Sequence, residues 1–246
     1  IGLGLMLLLA ALAWSPPTKG FESARSAPHH PLIHCMGNNN KMHAKLAPGV
    51  TDLIDSVVYD GRCVRREVAR AISQVASRME PDVLHHTARI WTPLLEVGCG
   101  TGTLTRELDM QSRFAITAVD TSPAMLDVAR KRVQGGADFR LMNGADCSAF
   151  DVTFAVCAFC MHEMPTAGHL DVAEAMCHAT SRGGEVWIVD IDPSYRPSPL
   201  MLMGEPYLPN YLRSIEHTLS VCARWSKRRL DSFEILSGHV RGWVLR

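Results

Sequence analysis

This sequence has no surplus of either charge, which sets aside a first group of functions. Its 25 Lys and Arg offset 25 Asp and Glu. That argues against nucleic acid as the main partner, because a phosphate backbone recruits a basic surface. The one local basic run, Arg224 to Arg229, reads as a solvated helix end. No disulfide framework is apparent either. The eight cysteines are scattered through apolar contexts and read as buried, reduced thiols. Cys157 and Cys160 have redox or zinc spacing, but no second pair completes a ligand set, and no metal is expected. The apolar stretch Ile1 to Trp14 is shorter than the roughly 20 residues that span a bilayer, so no stable membrane insertion of the mature domain is expected. Internal repeats are absent.

The first 45 residues differ in character from the rest. Ile1 to Trp14 matches the apolar core of a secretory signal, with Ala11-Leu12-Ala13 as a small-residue cleavage site. Trp14 to Lys45 is rich in Ser, Pro, His and Lys/Arg and holds one acid, Glu22. Cleavage before an aromatic in Ala13-Trp14-Ser15-Pro16, then a basic stretch, resembles the bipartite presequence of algae with complex plastids. Residues 1–45 are therefore expected to be a targeting presequence or disordered extension. The expected destination is a plastid or other organelle, with secretion or membrane anchoring as alternatives.

The remainder alternates helix-like and strand-like patterns. Val64, Val68, Ile72, Val75 and Met79 form a helical stripe that Pro81 stops. Strand-like runs follow at Trp91–Val97, Phe114–Val119, Phe139–Met142, Val152–Phe159 and Glu185–Asp190. Helices are expected at Thr103–Leu108, from Ser122 as N-cap with Pro123 at the first position, at Thr166–Thr180, and along Leu212, Ile215, Leu219 and Cys222. Two β-like pieces, Phe233–Leu236 and Gly242–Leu245, flank the turn Ser237-Gly238-His239 and must be antiparallel to each other. Such alternation predicts an α/β fold, a doubly wound parallel sheet with helices on both faces.

The most informative run is Leu94-Leu95-Glu96-Val97-Gly98-Cys99-Gly100-Thr101-Gly102. An apolar strand ends in an acid and a glycine cluster that lets backbone amides approach a ligand. Asp120 ends the next strand, and together these describe a nucleoside-binding crevice. A dinucleotide fingerprint would need Gly at 103 or 105, where Thr stands, so a nicotinamide-dependent oxidoreductase is disfavoured. A P-loop would need a lysine that is missing. Glu96 would repel a pyrophosphate and suits a cationic ligand carrying an amino group.

Glu96 to Gly102, followed by Val119-Asp120-Thr121-Ser122-Pro123-Ala124-Met125-Leu126, resembles the class I S-adenosylmethionine-dependent methyltransferases, most of all their type 11-like small-molecule branch. The resemblance covers residues 90–246 well and 50–90 loosely. It implies a Rossmann-like seven-stranded sheet of order 3-2-1-4-5-7-6 with strand 7 antiparallel. It also implies one domain over 46–246, with a helical cap at 46–90. Its cofactor is S-adenosylmethionine. Glu96 with Gly98, Cys99, Gly100 and Gly102 would hold the methionine part. Asp120 would accept both ribose hydroxyls, with Thr121 beside it, Met125 near the adenine and Asp146 contacting it. A helix-capping role for Asp120 and a solvated turn for Asp146 remain open.

In this fold the reacting methyl lies beyond strand 4, here Cys160-Met161-His162-Glu163-Met164-Pro165. His162 can act as a base near neutral pH or orient an acceptor carboxylate or hydroxyl, and Glu163 can assist. A purely structural His162 is the alternative. Tyr59, before the first helix, and Tyr207, after strand 5, are candidate acceptor contacts. The expected activity is methyl transfer to a small-molecule acceptor. A cofactor-binding protein of the same fold without catalysis is the alternative.

Overall fold

The computed structural model describes residues 49, 61–79 and 91–246. The segment 1–45 expected as a presequence, Tyr59 and most of the segment 46–60 lie outside the described residues. A seven-stranded sheet runs in the order β3-β2-β1-β4-β5-β7-β6. Its strands are β1 Thr92–Val97, β2 Phe114–Asp120, β3 Asp138–Leu141, β4 Val152–Ala158, β5 Thr180–Ile191, β6 Leu230–Leu236 and β7 Val240–Leu245. The first five are parallel, and β7 is antiparallel to both β5 and β6. This is the order and orientation expected from the sequence.

Central strands are buried on both faces, so their residues alternate between two cores rather than between core and water. On β1, Leu95 and Val97 join one core and Leu94 the other. The first core packs against α4 Ala167–Ala179 and α6 Leu208–Ser226, through residues such as Met176, Ile215 and Leu219. The second packs against α1 Val64–Met79, α2 Thr103–Asp109 and α3 Pro123–Arg132, through Ile72, Leu104 and Leu126. In α1 the buried stripe is Val64, Val68, Ala69, Ile72 and Ala76. Met79, expected on that stripe, is instead 41 % exposed, as the last residue of the helix. The described part of the expected cap is thus a helix docked on one sheet face. The edge strand β3 is short and carries the Arg140–Asp138 ion pair at 2.7 Å, features that discourage further pairing.

Local signals explain most boundaries. The Ser122 hydroxyl accepts from the Met125 amide at 3.3 Å, and Pro123 follows as the first helical residue of α3. Ser198 caps the short helix α5 Pro199–Gly204 in the same way. Two expectations need correction. The strand expected at Glu185–Asp190 begins earlier, at Thr180, so that Gly183 and Gly184 lie within it, at a register shift against β4. The basic run is not simply a solvated helix end, because the Arg228 guanidinium donates to the carbonyls of Gly184, Cys177 and Thr180 at 2.9, 3.2 and 2.8 Å. It thereby satisfies carbonyls that the end of α4 and the irregular start of β5 leave over. Among the described residues no disulfide forms, and no helix is long and apolar enough to cross a membrane.

Candidate cofactor and acceptor site

The candidate site lies at the C-terminal ends of β1, β2, β4 and β5. Three glycines after β1 have left-handed backbones, with φ of 71° at Gly98, 52° at Gly100 and 75° at Gly102. Gly98 is required for a second reason: a Cβ there would sit 2.3 Å from Cys160 Sγ, so β1's loop packs directly on the residue that precedes the turn after β4. Gly100 is the opposite case. Among the described residues nothing lies within 4 Å of where its Cβ would be, so this edge of the loop is open.

Asp120 ties the loop to β2. Its carboxylate accepts the Gly100 amide at 2.7 Å and the Ser122 amide at 2.8 Å, one on each oxygen. Burial outweighs these backbone donors and raises its pKa. The Thr121 backbone is a third donor, and a carboxylate offers about four acceptor sites, so these donors do not exhaust it. The capping and ligand-binding roles read from the sequence are therefore compatible in one side chain.

Glu96 is buried, and its Oε2 has no hydrogen-bond partner among the described residues. Burial pushes its pKa up to about 8, with Thr105 and the Arg65 charge pulling partly back. Arg65, in the first turn of α1, also stacks over the Phe159 ring at 4.3 Å. The folded chain thus holds the Glu96 proton more tightly than an unfolded chain, whose carboxyl titrates near the ordinary 4.5. This contribution to stability is fully present below the unfolded value and is lost as pH rises through the folded one. Glu96→Gln is expected to flatten that fall, read as urea midpoints at about pH 6 and about pH 8.5. An unchanged slope would place the titration elsewhere. Cys99 beside it is held protonated by burial next to Glu96 and Asp120, so it contributes packing and backbone rather than a thiolate.

The second half of the site follows β4. Phe159 takes a left-handed φ of 54°, and a short 3₁₀ turn, Met161–Glu163, presents His162 and Glu163. His169 on α4 fixes this turn. Its Nε2 meets the carbonyls of Met161 and Met164 at 2.8 and 3.2 Å, so Nε2 must carry the proton. His162 Nδ1 pairs with Asp190 Oδ1 at 2.6 Å, and its backbone amide donates to Asp190 Oδ2 at 3.2 Å. Burial works against a charged ring. The Asp190 carboxylate, aided by Glu205 and Glu163, outweighs it and pushes the His162 pKa to about 10. At neutral pH the ring keeps its proton, so the expected role as a base gives way to orienting an acceptor oxygen. Burial and the neighbouring Glu205 raise the Glu163 carboxyl.

Other expected site residues fall less centrally. Thr121 and Met125 are half-buried near Asp120. Asp146 is exposed in a 3₁₀ turn, Gly144–Ala149, that Asn143 caps through a bond to the Ala145 amide at 3.1 Å. Tyr207 is half-buried at the start of α6. Tyr211, in the same stretch, is core: its hydroxyl donates to the Ile191 carbonyl at 2.8 Å, and its ring packs edge-on to His162 and His169. Sequence reasoning passed over Asp190, Glu205, His169 and Arg65. Asp190 carried a usable signal, since it ends an apolar strand as Glu96 and Asp120 do.

A sheet of this order, with acids ending β1 and β2 around a glycine loop, defines the class I methyltransferase fold. Comparisons with known proteins agree. The family profile described as "Methyltransferase domain" matches residues 94–194. A malonyl-[acyl-carrier protein] O-methyltransferase of Halalkalibacterium halodurans is 32 % identical over 120 residues, covering 44 % of this chain and 43 % of that protein. The match thus spans less than half of the curated relative. Two solved structures share the fold. The plantazolicin methyltransferase BamL, in complex with a substrate analogue and SAH, has a TM-score of 0.58 and 14 % identity, covering 83 % of this chain and 91 % of its own. The magnesium protoporphyrin IX methyltransferase of Synechocystis with bound SAH has a TM-score of 0.52 and 13 % identity, covering 80 % and 97 %. Residues 94–194 thus match a methyltransferase domain, and the fold is the one that the SAH-bound methyltransferase structures share.

Proposed function

We propose that the protein transfers a methyl group from S-adenosylmethionine to a small-molecule acceptor by in-line displacement. The observation that carries this reading is Glu96: a buried carboxyl group whose Oε2 has no partner among the described residues, beside a glycine loop open to space. An unpaired buried acceptor costs about 1–3 kcal/mol, and the amino group of a bound methionine moiety offsets it. Gly98, Cys99, Gly100 and Gly102 hold that moiety through their backbone. Asp120 takes the ribose hydroxyls with the lone pairs its backbone bonds leave free, flanked by Thr121. Met125 covers the adenine, and Asp146 closes its edge.

When bound, the cofactor supplies an activated methyl on a sulfonium leaving group. The protein's own residues align the acceptor and exclude water. His162, locked by Asp190, orients an acceptor oxygen, Glu163 takes a proton where one must leave, and Tyr207 lines the acceptor side. The relatives' names, from malonyl-acyl-carrier protein to magnesium protoporphyrin, support a broad range of acceptors.

Calorimetry with SAH, then transfer from methyl-labelled cofactor to pooled cell metabolites, tests the reading. Binding and label in a low-mass product are expected, and binding without any transfer would count against an enzyme. The acceptor dyad has its own test. His162 is expected to titrate near 10 by NMR in the native protein, and Asp190→Asn to bring it down to the ordinary histidine range or below. A histidine that already titrates near neutrality would remove the dyad.

A further inference from the structure

We propose that Cys177 and Cys222 form a redox-active dithiol, which hydrogen peroxide converts to a disulfide that staples α4 to α6. Their Sγ atoms lie 3.6 Å apart, on residues 45 positions apart in the chain. A disulfide needs about 2.05 Å between its sulfurs. The two helices already pack against each other, so side-chain rotation and a slight approach close the difference. Neither thiol belongs to the cofactor or acceptor site, and the inference stands apart from the methyltransferase reading.

The surroundings of the pair favour a thiolate on one side of it. Glu174, Ser226 and Arg228 all act on the thiols, and all three are half-buried, so the pair sits at the rim of the core. Glu174 Oε1 is buried without a partner among the described residues, which marks the spot as polar. The Arg228 guanidinium is fixed at the end of α4, where it donates to the Cys177 carbonyl at 3.2 Å and the Thr180 carbonyl at 2.8 Å. Its charge offsets the negative end of that helix, which would otherwise oppose a thiolate. The Cys222 thiol donates to Cys177 and, with Ser226 and Arg228, outweighs burial and draws the Cys177 thiol below its ordinary value. Cys222, tied to Cys177 and buried, is pushed up. Burial and neighbouring acids raise Cys99 and Cys147 instead. A thiol reacts through its thiolate and needs access. Cys177 is 6 % exposed and Cys222 fully buried. Cys177 is therefore the attacking sulfur and Cys222 the resolving one, and a small uncharged oxidant suits the narrow access.

The chemistry balances in two steps. The Cys177 thiolate attacks one peroxide oxygen, the O–O bond breaks, and a sulfenic acid and hydroxide result. The Cys222 sulfur then attacks the Cys177 sulfur, the S–O bond breaks, and the S–S bond forms with loss of a second hydroxide. The two hydroxides take up the two thiol protons and leave as water. Two electrons pass from the thiols to one peroxide. The staple lies toward the C-terminal ends of α4 and α6. Nearer their N-terminal ends the same helices carry His169, which fixes the acceptor turn, and Tyr211, whose ring packs on His162. Oxidation thus ties together the two helices that frame that turn, at the end away from it.

The test exposes the native full chain to hydrogen peroxide, blocks remaining thiols with N-ethylmaleimide in denaturant, and maps tryptic peptides by mass spectrometry. One linked pair joining Cys177 to Cys222 is expected, lighter by two hydrogens than the separate peptides and reopened by dithiothreitol. The oxidised protein should gain roughly 5–10 °C in Tm, a gain that reduction removes. In Cys222→Ser, dimedone should trap a sulfenic acid at Cys177, and the gain in Tm should be lost. In Cys177→Ser no adduct at Cys222 is expected, and finding one would overturn the assignment of attacking and resolving sulfurs. The peptide map of the unsubstituted protein decides the matter should either variant not fold. Recovery of both cysteines as maleimide adducts, or linkage of either to a different cysteine, overturns the dithiol. A Cys177–Cys222 link without a reversible gain in Tm overturns the staple.

Discussion

Asp120→Ala is expected to weaken SAH binding by roughly 100-fold or more while the protein stays folded. Two charge-assisted hydrogen bonds to ribose hydroxyls are lost together, each worth about 1.5–3 kcal/mol, and about 1.4 kcal/mol is already tenfold in affinity. The substitution also frees the Gly100 and Ser122 amides, which the carboxylate holds at 2.7 and 2.8 Å. The loop edge that faces the cofactor therefore loses its anchor. Asp120→Asn should fall between the two, because its amide keeps one acceptor oxygen and turns a donor toward a backbone N–H. Calorimetry with SAH measures the loss, and thermal unfolding checks the fold. Unchanged affinity would remove the ribose assignment and with it the core of the cofactor site.

Gly98→Ala should destabilise the protein by about 2–5 kcal/mol, combining a left-handed backbone with overpacking. The added methyl would land 2.3 Å from Cys160 Sγ and 2.8 Å from its Cβ. For a chain of this size the loss corresponds to a fall in Tm of roughly 5–15 °C. The clash term alone should be recoverable: in a Cys160→Gly background the same substitution should cost distinctly less, a non-additivity that a double-mutant cycle reads directly. Equal costs in both backgrounds would mean that the glycine loop and the β4 turn do not touch. Because Cys160 precedes the His162 turn, this contact joins the glycine loop to the segment that carries His162.

What the sequence made visible, and what it did not, divides along physical lines. The parallel sheet followed from alternation, since buried parallel strands read as continuous apolar runs and Val152–Ala158 is such a run, whereas the strand order came from the family resemblance. The cofactor side was legible because its residues are near neighbours in the chain, Glu96 to Gly102 and then Asp120. The acceptor side depends on distant segments. Glu205 meets Glu163 only because β5 and α5 return to the end of β4, and no spacing rule carries that information. Arg228 misled for a related reason: a basic run looks solvated until the carbonyls at the end of α4 are seen beneath it. The His162 expectation turned on a single partner. Without Asp190 the ring would be an ordinary near-neutral base, and with it the proton stays.

The place of β7 in the sheet bears on how the molecule is made. Val240–Leu245 is the last strand in chain order, yet it lies inside the sheet, between β5 and β6. Trp243 and Leu245 are fully buried there. Until these residues leave the ribosome, β5 presents an unpaired edge and its core faces lack their lid of side chains. A nascent chain can assemble β1 to β4 early, but it cannot close its architecture before β7 is made. Interruption of synthesis even a dozen residues short would release a protein with a bare, apolar strand edge, a form suited to aggregation and to early capture by chaperones.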